Sequence, residues 1–232
     1  MRLYRLCLFL LACLPSALPA QSSFEELVEK TYGSDQTLIN GIQFSNQYIR
    51  IEGHPYFMDG SYQFGAVCIN DRWYDPVRMR YNLYSQKVEI EYLTPEDHMN
   101  QLITVPEQMP EFILGDYLFR RMSLGKDDEA YYMVLSTEET ECFIAWSLDA
   151  LGGGNTRRRF TPLERKCWIG HDGHWIMFDD RRSYLGAFPP ERRKEFKDLL
   201  KWKKFHFGVA GTNEWVDLVR TTLRLIEEGG DP

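Results

Sequence analysis

The chain lacks an apolar run long enough to stay in a bilayer, since a spanning helix needs about 20 consecutive apolar residues. Its apolar run at residues 6–14 is shorter than that. The chain also lacks a G-x-S-x-G elbow, an H-E-x-x-H pair, a P-loop and a dinucleotide-binding fingerprint. These absences weigh against catalysis without excluding it, because a hydrolase can gather its residues from distant loops.

Cysteine is scarce, and basic residues are fewer than acidic residues. Only Cys68, Cys142 and Cys167 follow residue 20, and an odd number permits at most one internal disulfide. Each lies in an apolar, strand-like run, where a free cysteine behaves as a small buried hydrophobe. The formal charge of −7 weighs against general affinity for nucleic acid or an anionic membrane.

The first twenty residues have the pattern of a secretory signal. Arg2 and Arg5 precede the apolar run, and a small-residue segment ends at Ala20. We therefore predict export to the periplasm or the medium, with cleavage after Ala20. A passable lipobox at residues 10–13 leaves an alternative, a lipoprotein anchored through Cys13.

Residues 21–232 are predicted to form one β-rich globular domain of the mainly β, α+β class. Alternating apolar residues and frequent turn signals indicate an antiparallel β-meander, a curved sheet of roughly eight to ten strands. A capping box at residues 23–26 predicts a short N-terminal helix. Residues 189–228 are predicted to form two helices whose apolar stripes, including that of Trp215, pack on the sheet.

A first hairpin is predicted around a two-residue loop at Ser85 and Gln86. One face of this hairpin is apolar and the other polar, so the pattern places its glutamates outside the core. The predicted pairs are Leu83 with Val88, Tyr81 with Ile90, Met79 with Tyr92, Asn82 with Glu89 and Arg80 with Glu91.

A second hairpin is predicted at Asp172-Gly173, a frequent type I′ turn. Both of its faces are apolar, so it is either covered on both sides or covered on one and used for binding on the other. The predicted pairs are His171 with His174, Gly170 with Trp175, Ile169 with Ile176, Trp168 with Met177 and Cys167 with Phe178.

Tryptophans provide the candidate binding residues. Trp146, Trp168, Trp175 and Trp202 form a set that suits a pocket for an apolar or carbohydrate-like ligand, and core packing is the competing interpretation.

Histidines are weaker candidates. His171 and His174 face each other beside a turn and offer two nitrogens to a surface metal. Cys167 cannot join them, because four residues of strand separate it from His171 by about 13 Å. His54, in Gly-His-Pro, suits a turn better than a general base. We expect no metal or other cofactor.

Several local motifs resemble those of a family of uncharacterised secreted and envelope proteins of the Bacteroidota. The motifs are Asn40-Gly41-Ile42, Glu52-Gly53-His54-Pro55-Tyr56-Phe57, Trp73-Tyr74-Asp75-Pro76-Val77, Arg80-Tyr81-Asn82-Leu83-Tyr84, Phe112-Ile113-Leu114-Gly115-Asp116 and a basic penultimate helix. The resemblance covers residues 36–227, and Asn82 stands where the family pattern has Asp. It implies an exported β-rich domain and no particular activity.

Three functions are therefore compatible with the sequence. The leading hypothesis is a non-enzymatic binding protein of the bacterial envelope, whose sheet serves as an interaction surface for an unknown protein partner. The second is a carrier or sensor of a small apolar ligand held in a cavity of the sheet. The third is a hydrolase, which would need a histidine and a carboxylate to converge in a cleft.

Overall fold

A computed structural model describes residues 42–93, 99–104, 106–124, 129–137, 140–153, 157–171 and 174–228. The predicted signal peptide, the alternative lipobox and the predicted N-terminal helix lie outside these residues. None of the helices in the described ranges is long and apolar enough to cross a membrane.

Fourteen strands account for most of the regular structure within the described ranges. They are β1 (Ile42–Gln43), β2 (Ile51–Glu52), β3 (Gln63–Ile69), β4 (Arg72–Asn82), β5 (Lys87–Leu93), β6 (Met99–Ile103), β7 (Glu111–Leu114), β8 (Tyr117–Met122), β9 (Ala130–Val134), β10 (Glu141–Ser147), β11 (Ala150–Leu151), β12 (Arg158–Phe160), β13 (Glu164–His171) and β14 (His174–Phe178).

The main sheet contains eleven of these strands in the order β1-β6-β5-β4-β3-β7-β8-β9-β10-β13-β14. β3 and β7 are antiparallel neighbours in the middle of this order. From β3 the strands continue through β4 and β5 to β6, and from β7 they continue through β8, β9, β10 and β13 to β14. β11, β12 and β2 form a separate small sheet, in which β12 and β2 are parallel. The predicted antiparallel architecture is confirmed, with one strand more in the main sheet than the upper expected number.

Three helices follow the last strand: α1 (Arg181–Gly186), α2 (Arg193–Trp202) and α3 (Thr212–Glu228). α1 was not predicted, because it is short and its Asp180 capping box involves only Ser183. α2 and α3 are the two predicted C-terminal helices. Gly211 directly precedes α3, and the Glu214 carboxylate accepts a hydrogen bond from the Gly211 amide at the start of the helix.

The core lies between one face of the main sheet and these helices. Trp215 of α3 is buried beside the rings of Phe178, Phe205 and Phe207, at centroid distances of 6.3, 5.5 and 5.3 Å. One continuous cluster of buried residues joins the sheet to α2 and α3. The prediction that the apolar stripe of the last helix packs on the sheet is therefore confirmed.

The predicted register of the first hairpin is wrong by two residues. Asn82 pairs with Lys87, Tyr81 with Val88 and Arg80 with Glu89, so four residues form the turn. The Asn82 side chain accepts hydrogen bonds from the amides of Tyr84 and Ser85, and this asparagine turn competes with the shorter loop. Because the shift is even, every side chain keeps its predicted face.

Candidate functional site

The four candidate tryptophans occupy different surroundings. Trp146 is buried in the main core, with its ring 5.7 Å from that of Phe57. Trp168 is buried in a second cluster, and Trp175 and Trp202 are 41% and 75% exposed. The structure therefore does not bring the four together in one pocket, and only two of them are available to a ligand.

The second cluster lies on the face of the sheet opposite the main core. It consists of Leu124, Tyr132, Phe143 and Trp168. The rings of Tyr132 and Trp168 meet edge to face, 5.3 Å apart. This face of the sheet, which we call the outer face, is thus apolar where β8, β9, β10 and β13 lie side by side.

An apolar row crosses the outer face from strand to strand. Val134 lies opposite Phe143, Phe143 opposite Trp168, and Trp168 opposite Met177. Phe143 and Trp168 are buried, whereas Met177 is 43% exposed. The row therefore continues to the last strand of the sheet and ends there in contact with solvent.

Trp175 extends this apolar surface beside the row. Its ring lies 5.3 Å from that of Phe143 and covers Gly170, which is its direct partner on β13. A Cβ atom at Gly170 would lie 2.5 Å from the Trp175 ring, so only glycine allows the indole to lie this close to the strand. The local sequence thus holds an exposed indole flat against the hairpin.

β14 combines this surface with a free edge. It is the terminal strand of the main sheet, with β13 as its one neighbour among the described strands. Trp175, Ile176 and Met177 are all more than 40% exposed, while Phe178 is buried in the main core. The predicted pairing of this hairpin is confirmed throughout. Phe178 is covered on one face and Trp168 on the other, whereas residues 175–177 leave both faces of β14 exposed.

Trp202 belongs to a different surface feature. It borders a recess of about 200 Å³ together with Lys203, Phe205, Glu214 and Asp217. The Lys203 ammonium lies 2.5 Å from an Asp217 carboxylate oxygen and 5.0 Å from the indole centroid. The Lys203 ammonium thus already occupies the position between the Trp202 ring and the Asp217 carboxylate.

The histidine candidates are only partly within the described residues. The backbones of His171 and His174 pair as predicted, but their side chains lie outside the described set. Among the side chains that are described, no group of three or more His, Cys, Asp or Glu could hold a metal ion. His54 Nδ1 accepts a hydrogen bond from the Tyr56 amide at 3.3 Å, which is the expected turn role.

A polar cluster that the sequence did not reveal lies beneath residues 44–62. Arg80 and Glu89 pair at 2.7 Å, and their side chains are only 17% and 2% exposed. Arg80 also donates a hydrogen bond of 2.7 Å to the Tyr56 hydroxyl, and Asn82 donates one of 3.2 Å to the other Glu89 oxygen. The polar face of the first hairpin is therefore covered, contrary to prediction.

Aromatic rings complete this cluster. The Arg80 guanidinium lies 3.8 Å from the ring centroid of Tyr56 and 4.4 Å from that of Tyr62. Burial raises the pKa of Tyr62 to about 12, and burial with the nearby Glu89 charge also raises the pKa of Tyr56. Since the guanidinium and carboxylate satisfy each other, we assign the cluster a structural role: it holds residues 44–62 on the sheet.

No protein-family model, curated protein sequence or solved structure matches this chain. The β14 edge is therefore the candidate site on geometry alone: it carries exposed indole, thioether and aliphatic side chains, and β14 pairs with β13 alone among the described strands.

Proposed function

We propose that this chain is an exported, non-enzymatic interaction protein that binds an extended apolar segment of a partner protein along β14. The observation that carries the proposal is the apolar row of the outer face, which ends at an exposed Met177 on a strand with a free edge. A strand added at this edge would extend both the backbone ladder and the row.

The exposed residues fit such a partner better than they fit a small ligand. Trp175 and Met177 point to the outer face, and Ile176 points to the opposite face, as alternation along a strand requires. All three are exposed to a similar extent. An extended peptide can contact both faces of the edge at once, whereas the space between sheet and helices is occupied by aromatic side chains of the core.

Unprotected apolar edges are normally avoided, because they pair with other chains. On β14, the three consecutive exposed residues are apolar, and neither lysine nor proline interrupts them. This supports the use of the edge for binding. His54 lies near Asp59, but both side chains are exposed and the His54 Nδ1 accepts a hydrogen bond from the Tyr56 amide, which favours a turn role over the general base of a hydrolase.

The proposal is tested by site-specific photo-cross-linking. A photoreactive amino acid is placed at Met177 and, as a matched control, at Phe64, which is 67% exposed on the inner strand β3. In cells that produce the chain, position 177 should give a discrete peptide adduct that position 64 does not give. Equal labelling at both positions, or adducts with lipid or other small molecules only, would contradict strand addition.

A synthetic copy of the cross-linked segment then provides a quantitative assay. Trp175→Ser should weaken its binding about tenfold or more, since a buried aromatic anchor contributes roughly 2 kcal/mol or more at an interface. Trp202→Ser, which changes an exposed tryptophan outside β14, should leave binding unchanged. A similar loss with both variants would argue against a site on β14.

Export is part of the same proposal and has its own test. Its support is the order of basic, apolar and small residues before Gln21, together with the resemblance to secreted proteins of the Bacteroidota. Intact mass of the chain recovered from the envelope or medium should correspond to a start at Gln21. A diacylated Cys13 would show the lipoprotein route instead, and an uncleaved chain in the cytoplasm would contradict export.

A further inference from the structure

The structure brings two of the three cysteines in the described ranges into contact. Cys142 on β10 and Cys167 on β13 are fully buried, and their sulfurs lie 3.4 Å apart. The strands are direct neighbours in which Cys142 lies opposite Ile169, so the two cysteines are diagonal neighbours on the core face. Both are free thiols in this structure.

The same topology excludes the third cysteine from pairing with either of them. Cys68 lies on β3, which is separated from β10 by β7, β8 and β9. It pairs with Trp73 and Glu111 on the neighbouring strands and is directed away from the main core cluster. The odd number of cysteines, which the sequence alone could not partition, is thereby divided into one pair and one single thiol.

We propose that Cys142 and Cys167 form an intramolecular disulfide when the folding chain meets a disulfide donor, and that Cys68 stays free. A disulfide needs the sulfurs at about 2.05 Å, so they must approach by somewhat more than an ångström. Diagonal neighbours on antiparallel strands have Cα atoms about 7 to 8 Å apart, whereas a disulfide takes about 4.4 to 6.8 Å, so the bond requires the backbones of β10 and β13 to approach as well as the side chains to rotate. The bond would tie the two meander strands that precede the proposed binding edge.

The oxidant is a low-molecular-weight or protein disulfide, written RSSR. One cysteine thiolate attacks a sulfur of RSSR, which forms a mixed disulfide and releases one RS⁻. The second thiolate attacks the cysteine sulfur of that mixed disulfide, which forms the Cys142–Cys167 bond and releases the second RS⁻. Both cysteine protons end on the released thiolates, so two thiols are oxidised while one RSSR is reduced to two RSH.

Burial decides when this reaction takes place. Neither sulfur is accessible in the folded chain, and burial raises the pKa of the Cys167 thiol, with the neighbouring Cys142 adding to the effect. Exchange therefore occurs before β10 and β13 are packed against the helices, or during their transient opening. Oxidation of the folded, reduced protein should be slower than its oxidation during refolding.

Peptide mapping tests the pairing directly. The full chain isolated from cells is reduced, unfolded, and refolded with oxidised and reduced glutathione; free thiols are alkylated and the protein is digested without reduction. The expected product joins the Cys142 and Cys167 peptides with a mass about 2 Da below their sum, while Cys68 is alkylated. Alkylation of both Cys142 and Cys167, or their linkage to other cysteines, would overturn the proposal.

Thermal melts provide a second measurement that does not depend on mapping. The cysteines are 25 positions apart, and a cross-link over such a loop should raise the melting temperature by about 5 to 12 °C relative to the same protein in dithiothreitol. Cys142→Ala and Cys167→Ala should lose this dependence on reductant. Cys68→Ala is the matched control, and its melting temperature should still depend on reductant. If this dependence were lost in all three variants, or were absent in the parent chain, the proposed bond would be refuted.

Discussion

The two hairpins of the main sheet have opposite relations to the rest of the chain. The β4–β5 hairpin carries charged side chains on its second face, yet residues 44–62 cover that face and bury Glu89. The β13–β14 hairpin carries tryptophan and methionine on its second face, yet Trp175 and Met177 stay exposed. Polarity within a hairpin therefore does not determine which of its faces is covered.

The difference comes from which other segments reach each face. The polar hairpin provides a complete set of partners, because Arg80, Glu89 and Tyr56 satisfy one another when they are covered. The apolar hairpin lies at the end of the sheet, where no further described strand follows. The covered polar face thus keeps its ion pair away from solvent, whereas the apolar face of β14 stays exposed to it.

The largest expected effect is the loss of the buried carboxylate. Glu89→Ala leaves the Arg80 guanidinium buried without its counter-ion, which typically costs about 3 to 5 kcal/mol. Urea unfolding should show this loss of stability. If the variant were as stable as the parent chain, the covered polar face would contribute little to stability, and the two hairpins would not differ in the way described.

Glu91→Ala is the matched control on the same strand. Glu91 pairs at 2.9 Å with Arg78, and the two side chains are 10% and 46% exposed. Removal of Glu91 leaves Arg78 able to turn to solvent, so no buried cation loses its counter-ion, and the loss should be about 1 to 2 kcal/mol. Similar losses for Glu89 and Glu91 would mean that residues 44–62 do not seal the cluster.

Sequence patterns predicted the second hairpin better than the first for a physical reason. The sequence Asp172-Gly173 has a strong local preference for a two-residue turn, and this preference alone predicts the pairs that β13 and β14 form. The first hairpin depends on the Asn82 side chain, which accepts hydrogen bonds from two amides and lengthens the turn to four residues. Binary patterning fixes the face of a residue but leaves a shift of two undetermined.

The same limit explains the site predictions. Trp146, Trp168, Trp175 and Trp202 differ in exposure because the order of strands and helices decides what covers them, and composition carries no information on that order. The Arg80 cluster was missed because Tyr56 and Tyr62 come from a turn-rich segment distant in sequence from β5. The buried state of the cysteines was predicted correctly, since each lies within an apolar strand.

A smaller effect is expected at the two tyrosines that cover Arg80. Tyr62 has a buried hydroxyl without a hydrogen-bond partner among the described residues, whereas the Tyr56 hydroxyl accepts one from Arg80. Tyr62→Phe should therefore be neutral or stabilising by up to about 1 kcal/mol, and Tyr56→Phe should destabilise by about 1 kcal/mol. Urea unfolding of both variants checks the sign, and the reverse order would contradict the described hydrogen bonds.

The raised pKa of Tyr62 also predicts how the stability of the chain changes at alkaline pH. Its folded pKa of about 12 exceeds the unfolded value of 10.0, so both states are neutral at low pH and the unfolded chain ionises first. The parent chain should lose stability as pH rises from about 10 through about 12. Tyr62→Phe should lose less over this range, and parallel curves for the two proteins would show that Tyr62 is not buried in solution.

A modest effect on stability is expected at the apolar edge, where the largest effect on binding is proposed. Trp175→Ser and Met177→Ser remove side chains that are 41% and 43% exposed, so each should lower the unfolding free energy by about 1 to 2 kcal/mol, less than the loss of a fully buried side chain. Trp168→Ala removes a buried ring from the same row and should cost about 3 to 5 kcal/mol. Urea unfolding compares the three variants, and the peptide assay measures binding by the two that stay stable. If the serine variants were as unstable as Trp168→Ala, β14 would be part of the core of the monomer, and the free edge would no longer explain why an apolar row runs to the end of the sheet.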